Sequence, residues 1–307
     1  MRCREKMNIT KCFSIPTLND TLTDFSKLFE LGNRVIEYRG DVIFELSTCQ
    51  FLRPNAIAFL GGIARLIENR GRRASFNFNT AHDKVLAILR QNNFATCFGN
   101  PDFTGPGNSI PYKEIFAEST SDVKDDIIDY LTYEWLKHGW VHLSVRLRDA
   151  IVGRVWEIFD NALEHSRSSV GIFSCGQYFW RMELLKLAVV DLGCGIPANV
   201  RNYLGSHSSV APRTSADCLE WAFQKGHSTS PGKTGRGMGL KLLKEFVNVN
   251  QGKLEIYSES GYALIENRKE SFENLNTSFQ GTLVNITLRC DESYYQFADE
   301  PSVGPLF

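Results

Sequence analysis

Residues 154–166 read R-V-W-E-I-F-D-N-A-L-E-H-S, and this stretch decides the fold of the region around it. Apolar side chains recur at three- and four-residue spacing between positions 151 and 163, a pattern that predicts an amphipathic helix. Glu157 and Asn161 are one helical turn apart on the opposite side of that helix. The helix is therefore expected to bury its apolar stripe and to present a carboxylate and a carboxamide together.

A second motif follows about twenty-five residues later. The apolar run L-A-V-V at 187–190 predicts a buried strand, and it leads directly into Asp191-Leu-Gly-Cys-Gly195. Gly193 and Gly195 have no side chain beyond Cα, so a flat ligand can approach the backbone closely here. The strand end is therefore a predicted binding position, with Asp191 as its polar group.

Two further glycine motifs lie in the last third of the chain. Gly235-Arg-Gly-Met-Gly239 precedes a patterned helix predicted over Leu240–Val249, and Gly281-Thr282 enters a predicted strand. Each motif alone is common, because Glu-x-x-x-Asn occurs on many solvated helices and spaced glycines usually form turns. Their order and their placement at helix, strand end and helix start make a chance combination improbable.

Together the four motifs resemble the GHKL ATPase superfamily, which includes DNA gyrase, histidine kinases, the MutL repair proteins and the anti-sigma serine kinases. The resemblance covers roughly residues 140–290. It implies an α/β sandwich with helices on one face of a mixed sheet and ATP held beneath a flexible lid, here residues 198–234.

The resemblance also implies roles for individual residues. Asn161 would be a ligand of Mg²⁺, for which a carboxamide oxygen is suitable. Glu157 would accept a proton from an attacking water or hydroxyl. Asp191 would accept a hydrogen bond from the adenine amino group and so select against guanine, while Thr282 matches the family's threonine near the adenine.

The phosphate chain is expected at the third motif. Backbone N–H groups of Gly235, Gly237 and Gly239 at a helix N-terminus would bind phosphate oxygens. Lys233 and Arg236 are further candidates, although solvated side chains at these two positions are an equally good interpretation.

The first hundred residues predict a small α/β domain ending near Phe98. A helix is expected from Thr21 to Leu31, strands over Arg34–Tyr38 and Val42–Leu46, and a helix over Asn55–Asn69. The pattern gives a two-domain α/β chain. Its predicted parts are a first domain (1–98), a Gly- and Pro-rich linker (99–120), an ATP-binding domain (121–290) and a tail (291–307).

The order of these elements over residues 7–98 is similar to a STAS domain, the fold of anti-sigma-factor antagonists. Phosphorylatable members carry a serine at the start of the helix that here follows F-L-R-P-N-A-I. Pro54 and Asn55 stand at that place. A plain structural or docking domain is therefore the favoured interpretation, although Ser47 or Thr48 could substitute as a phosphoacceptor.

Bulk properties exclude several classes of function. The 307 residues carry a net charge of −1, which gives no reason to expect nucleic-acid or acidic-lipid binding. No apolar run approaches the roughly 18 residues that a membrane span needs. The eight cysteines form no C-x-x-C pair, which is typical of reduced thiols in a cytoplasmic protein.

Three hypotheses follow for the activity. The first is an enzyme of the anti-sigma serine-kinase branch, which hydrolyses ATP or phosphorylates a Ser/Thr of a protein partner. The second is a binding module in which ATP changes affinity for that partner with little or no turnover. The third is a scaffold that no longer binds ATP, and the complete motif set disfavours it. The oligomeric state cannot be deduced from the sequence.

Overall fold

A computed structural model describes residues 9–102, 104–105, 107–116, 123–136, 139–207, 214–224 and 239–301. The elements are, in chain order, β1 (Lys11–Ser14), α1 (Leu22–Glu37), β2 (Val42–Glu45), α2 (Pro54–Asn69), β3 (Ala74–Asn77), α3 (Asp83–Gln91), α4 (Phe94–Cys97), β4 (Ser109–Ile115), α5 (Val123–Asp129), β5 (His142–Leu143), α6 (Val145–His165), β6 (Ile172–Phe179), β7 (Leu184–Asp191), α7 (Gly195–His207), α8 (Ser215–Phe223), α9 (Gly239–Val249), β8 (Lys253–Glu266), β9 (Lys269–Arg289) and β10 (Tyr294–Tyr295).

The central sheet has the strand order β4-β6-β7-β9-β8. All four of these strand pairs are antiparallel, where the sequence predicted a mixed sheet. Two of the pairs, β6–β7 and β8–β9, are consecutive hairpins, which bring neighbouring strands together in antiparallel order. The register pairs Asp191 at the end of β7 with Thr282 on β9. Two predicted site residues therefore meet at one end of the sheet.

Helices cover one face of this sheet, as the sequence predicts. The buried stripe of α6 includes Ile151, Val155 and Phe159, which belong to one core with Leu187 of β7 and Ile286 of β9. The buried side of α9 belongs to the same core. Burial of this stripe holds α6 in a fixed orientation on the sheet, with Glu157 and Asn161 outside the core.

The opposite face of the sheet is covered by the N-terminal α/β layer, defined here as β1 to α4. Strands β1, β2 and β3 form a parallel sheet in that order, and α1 and α2 pack against the central sheet. The small α/β unit that the sequence predicts is therefore present. It does not stand apart from the part of the chain that contains the central sheet, because a single hydrophobic core contains residues of both.

Aromatic rings join the two parts. Phe29 of α1 stacks on Phe279 of β9 with ring centroids 4.3 Å apart, and Phe25 stacks on Tyr257 of β8 at 4.3 Å. Gly62 of α2 permits close contact with the sheet, since a Cβ there would lie 2.9 Å from Phe173. Helix packing this close requires glycine, and stacked aromatic pairs add to the stabilisation from buried area.

Replacing Phe29 with alanine should destabilise the whole described fold. The side chain is fully buried between Phe59 and Phe279, so its removal should cost about 3–5 kcal/mol. All five tryptophans lie between positions 135 and 221, outside the N-terminal layer. The midpoint of urea unfolding, measured by tryptophan fluorescence, should therefore shift to a lower urea concentration, although the substitution lies in the other part of the chain.

Leu22→Ala on the same helix is the matched control, because Leu22 is 39% exposed and its loss should matter little. If the unfolding midpoint of Phe29→Ala, measured by tryptophan fluorescence, equals that of the wild type, the two parts unfold independently.

The predicted linker at 99–120 is wrong over residues 109–115. These residues form β4, which pairs antiparallel with β6 as an edge strand of the central sheet. Glu114 of β4 also accepts a hydrogen bond from Arg65 Nε of α2 at 2.9 Å. The Gly- and Pro-rich residues before the strand, together with Pro111 within it, have the composition of a linker, and for this reason the strand was not predicted. Pro111 does not interrupt β4, because an edge strand tolerates proline.

The predicted strand over Arg34–Tyr38 is also wrong. Helix α1 continues through Gly32 to Glu37. A Cβ at Gly32 would lie 2.8 Å from the Phe59 ring, so this glycine serves helix packing and does not end the helix.

The predicted tail is structured over its first ten residues. Strand β10 pairs with β5, and the Glu300 carboxylate accepts a hydrogen bond from Ser144 Oγ at 2.8 Å. Ser144 is the N-cap of α6. The tail therefore helps to fix the start of the helix that carries Glu157.

Candidate functional site

Helix α6 places Glu157 and Asn161 at the surface of the helical layer. Its first turn is capped by Ser144 Oγ, which accepts a hydrogen bond from Leu147 N at 3.1 Å. Glu157 is partly exposed, with 30% of its side chain accessible, and Asn161 is exposed. Both side chains are accessible to a ligand from the same turn, as the sequence predicts.

Glu157 is held by an ion pair with Arg154, one turn earlier on the same helix. The guanidinium Nη1 donates to Glu157 Oε1. This hydrogen bond orients the carboxylate and occupies one lone pair of Oε1, while its other acceptor sites stay free of this bond. Sequence reasoning did not identify Arg154, although three-residue spacing on a helix is the signal that could have found it.

Asp191 lies at the end of β7 and is 5% exposed. Its Oδ1 accepts a hydrogen bond from Gly193 N at 2.9 Å, and Thr282 lies opposite it in the strand register. Burial raises the pKa of Asp191 to about 7, against the lowering effect of the polar groups of Gly193 and Thr282. The site therefore holds an oriented acceptor whose charge is only partly compensated.

The protein should lose stability as the pH rises through neutrality because of Asp191. Its pKa of about 7 lies above the ordinary 3.8, so the folded chain binds this proton more tightly than the unfolded chain does. The stabilisation is complete below about pH 4 and is lost as the pH rises through about 7, to a limit of about 4 kcal/mol. Urea unfolding between about pH 5 and about pH 8 measures this loss.

Asp191→Asn is the reference for that experiment, because the amide keeps the shape and cannot titrate. Every other ionisable group is common to both proteins, so the difference between the two pH profiles isolates Asp191. The free energy of unfolding should depend less on pH in the variant, and identical slopes would contradict the raised pKa.

Glycines around Asp191 allow three segments to meet without side-chain clashes. A Cβ at Gly193 would lie 1.9 Å from the Ser166 carbonyl oxygen at the end of α6, and one at Gly281 would lie 2.1 Å from the Asp191 carbonyl oxygen. Gly195 has a φ of +78°, which a side chain would strain. Packing around the end of β7 therefore requires glycine at these three positions.

The end of α6 is tied to this loop. Cys194 N donates a hydrogen bond to the Ser166 carbonyl oxygen at 2.7 Å, and Asn199 Nδ2 donates to the His165 carbonyl oxygen at 3.0 Å. The helix that carries Glu157 and Asn161 is therefore connected directly to the Asp191 loop. Cys194 Sγ also donates to the His165 carbonyl oxygen at 3.3 Å, so this residue contacts the end of α6 through both its backbone and its side chain.

Part of the predicted site lies outside the described residues. Lys233, Gly235, Arg236 and Gly237 belong to this group, as do residues 208–213 and 225–234 of the predicted lid. Gly239 is the first residue of α9, so the third glycine motif does precede a helix. The structure thus brings Asp191, Gly193, Gly195 and Thr282 together and leaves the glycine-rich phosphate motif as a prediction.

Sequence reasoning missed one residue at the centre of this arrangement. Ser258 of β8 is fully buried, and its hydroxyl lies 3.1 Å from Thr282 Oγ1 and 2.9 Å from Ile196 N. The segment L-E-I-Y-S-E offers only a weak signal, a small polar residue in a strand that is otherwise expected to be buried.

Comparison with known protein families points to a class for this region. Residues 148–291 match the family described as Histidine kinase-, DNA gyrase B-, and HSP90-like ATPase. The match supports the GHKL superfamily for this region, and the ATPase domains of that superfamily bind ATP. No curated protein matches the chain. Among the residues that the structure describes, no helix is long and apolar enough to cross a membrane.

Proposed function

We propose that the chain is a regulatory protein that binds Mg-ATP and either hydrolyses it or transfers its γ-phosphoryl group to a Ser/Thr of a protein partner. The observation that carries the proposal is the buried Asp191 carboxyl group beside Gly193 and Thr282. An oriented acceptor at a strand end, with glycine backbone next to it, suits a planar base that has an amino group at its edge.

Adenine recognition would use the remaining acceptor capacity of Asp191. The Gly193 and Thr282 donors leave lone pairs of the carboxylate free, and one of these can accept a hydrogen bond from the adenine amino group. Guanine has a carbonyl at that edge, which the carboxylate would repel. The buried surroundings strengthen this discrimination, because an unpaired polar group is costly there.

The reacting end of the nucleotide would lie at α6. Asn161 would coordinate Mg²⁺ through its carboxamide oxygen, and the exposed position of this side chain suits that role. The metal ion would neutralise charge on the phosphate oxygens. Glu157 would take the proton of the attacking water or hydroxyl on a carboxylate lone pair that the Arg154 hydrogen bond does not occupy.

Backbone amides of Gly235, Gly237 and Gly239 would hold the phosphates, with Lys233 and Arg236 as further contacts. A helix begins at Gly239, which supports an anion-binding role for the preceding residues. The 198–234 segment, which contains most of α7 and all of α8, would cover the nucleotide and complete the site.

The N-terminal layer would receive the partner or transmit its effect. The parallel strand order β1-β2-β3 and the start of α2 directly after Arg53 support the likeness to STAS domains and to the anti-sigma serine-kinase branch. Asn55 Nδ2 donates a hydrogen bond to Asp20 Oδ1 at 2.7 Å. A packed carboxamide at the position of the STAS serine favours a docking role, which we place in the cytoplasm.

The ion pair between Arg154 and Glu157 favours a second function, an ATP-gated switch with little or no turnover. If Arg154 keeps Glu157 engaged when ATP is bound, the site binds nucleotide without activating water. ATP would then act only by changing the affinity for the protein partner.

Calorimetry of ATP binding with and without Mg²⁺ tests the shared part of both functions. Tight binding that requires Mg²⁺ supports them, and single-turnover hydrolysis then separates the enzyme from the switch. Absence of ATP binding by the wild-type chain would overturn both.

A further inference from the structure

The Ser258 hydroxyl lies between the loop that follows Asp191 and the Gly281-Thr282 segment, at the end of the sheet where we propose that the base binds. The Ile196 N–H donates to Ser258 Oγ at 2.9 Å, directly after the Asp191–Gly195 motif. The hydroxyl donates to the Gly281 carbonyl oxygen at 2.8 Å and lies 3.1 Å from Thr282 Oγ1. One fully buried side chain therefore contacts both motifs.

A hydroxyl has one proton and two lone pairs. Ser258 Oγ accepts a hydrogen bond from the Ile196 N–H and donates its proton to the Gly281 carbonyl oxygen, and either hydroxyl can be the donor in its contact with Thr282. Ser258 thus links the backbone after the Asp191–Gly195 motif to the Gly281-Thr282 motif, and Thr282 lies opposite Asp191 in the strand register.

We propose that Ser258 is a positioning residue for base recognition, which acts on the nucleotide through Thr282 and Asp191. The inference rests on the proposed function, since it assumes that Asp191 meets the base. Ser258 makes no contact with the ligand in this arrangement. Its effect is to fix the rotation of the Thr282 hydroxyl and the course of the Gly195–Ile196 backbone.

Local backbone geometry explains why this role falls to a serine. A Cβ at Gly195 would lie 2.8 Å from Ser258 Oγ, so the loop is packed directly on the hydroxyl. Removal of the hydroxyl leaves the Ile196 N–H without its acceptor and frees Thr282 to rotate. Both changes make the position of the Asp191 carboxylate less well fixed, and this carboxylate is the hydrogen-bond acceptor that distinguishes an amino group from a carbonyl.

The test compares ATP with inosine triphosphate, whose base carries a carbonyl where adenine has the amino group. Calorimetry gives the ratio of the two dissociation constants, and this ratio does not depend on the fraction of folded protein. The Ser258→Ala variant should lose about tenfold of the wild-type preference for ATP, a factor that corresponds to about 1.4 kcal/mol.

Ser174→Ala is the matched control. Ser174 is also a fully buried strand serine, and it donates to the Ala188 carbonyl oxygen at 2.9 Å and accepts from Tyr130 Oη at 3.2 Å. This substitution removes similar hydrogen bonds within the same sheet, away from Asp191 and Thr282. Its preference for ATP should stay at the wild-type value even where its stability falls.

An unchanged preference in Ser258→Ala, or an equal loss in Ser174→Ala, would overturn the inference while ATP binding itself remains. If Ser258→Ala does not fold, Ser258→Cys replaces it, because a thiol is of similar size and bonds weakly, and the same loss of preference is expected. Wild-type protein that binds neither nucleotide would remove the proposed function, and the inference with it.

Discussion

Replacing Glu157 with alanine should lower the single-turnover rate of ATP hydrolysis by at least about a hundredfold, the lower range for loss of a general base. The affinity for ATP should change little, because Glu157 is assigned to the attacking water and not to the nucleotide. Rapid-quench measurement of the bound nucleotide, together with calorimetry of the same sample, separates the two effects. In the kinase form of the proposal, the same loss applies to phosphoryl transfer.

Asp149→Ala is a suitable control, since Asp149 is an exposed carboxylate two turns earlier on α6 that pairs with its neighbour Arg148. It should retain turnover. Wild-type rates in Glu157→Ala would exclude Glu157 as the base. If the wild-type chain binds ATP and does not turn it over, the ATP-gated switch becomes the better description, and partner affinity with and without ATP is then the quantity to measure.

Asp191→Asn should weaken ATP binding by about a hundredfold, which corresponds to roughly 2.8 kcal/mol. A carboxamide has one oxygen, and the Gly193 and Thr282 donors already require an acceptor at this position. The amide NH₂ would then face the adenine amino group, so that an attraction is replaced by a repulsion between donors. Calorimetric titration with ATP measures the loss.

Glu255→Gln controls for the removal of a buried carboxylate. Glu255 of β8 is 4% exposed and accepts a hydrogen bond from Tyr262 Oη at 3.0 Å, toward the N-terminal layer. ATP affinity should be retained in this variant. Equal losses in both variants would mean that a general weakening of the sheet lowers affinity, and tight binding by Asp191→Asn would place adenine elsewhere.

The sequence by itself determined the elements that are periodic or end at a distinct motif. The apolar stripe of α6 predicted both the helix and the side on which Glu157 and Asn161 lie. The run L-A-V-V predicted β7 and placed Asp191 at its end. These elements could be predicted because apolar periodicity, and the motifs at which an element ends, are local properties of the sequence.

Long-range contacts decided the rest. The sequence predicted a separate first domain, whereas Phe29 and Phe279 are 250 residues apart and stack in one shared core. Gly32 looked like a helix end and is a packing position, and Pro111 looked like part of a linker and lies in an edge strand. In each of these cases the residue type indicated its usual local role, whereas its actual role depends on a contact with a residue that is distant in the chain.

Ser258 shows the same limit at the site itself. Its residue type and strand position say little, and its importance comes from three partners on two other segments, Ile196, Gly281 and Thr282. A motif can be recognised when its residues are close in the chain or spaced along one element. A hydrogen bond between distant strands depends on sheet register and burial, and these are decided only when the whole sheet has formed.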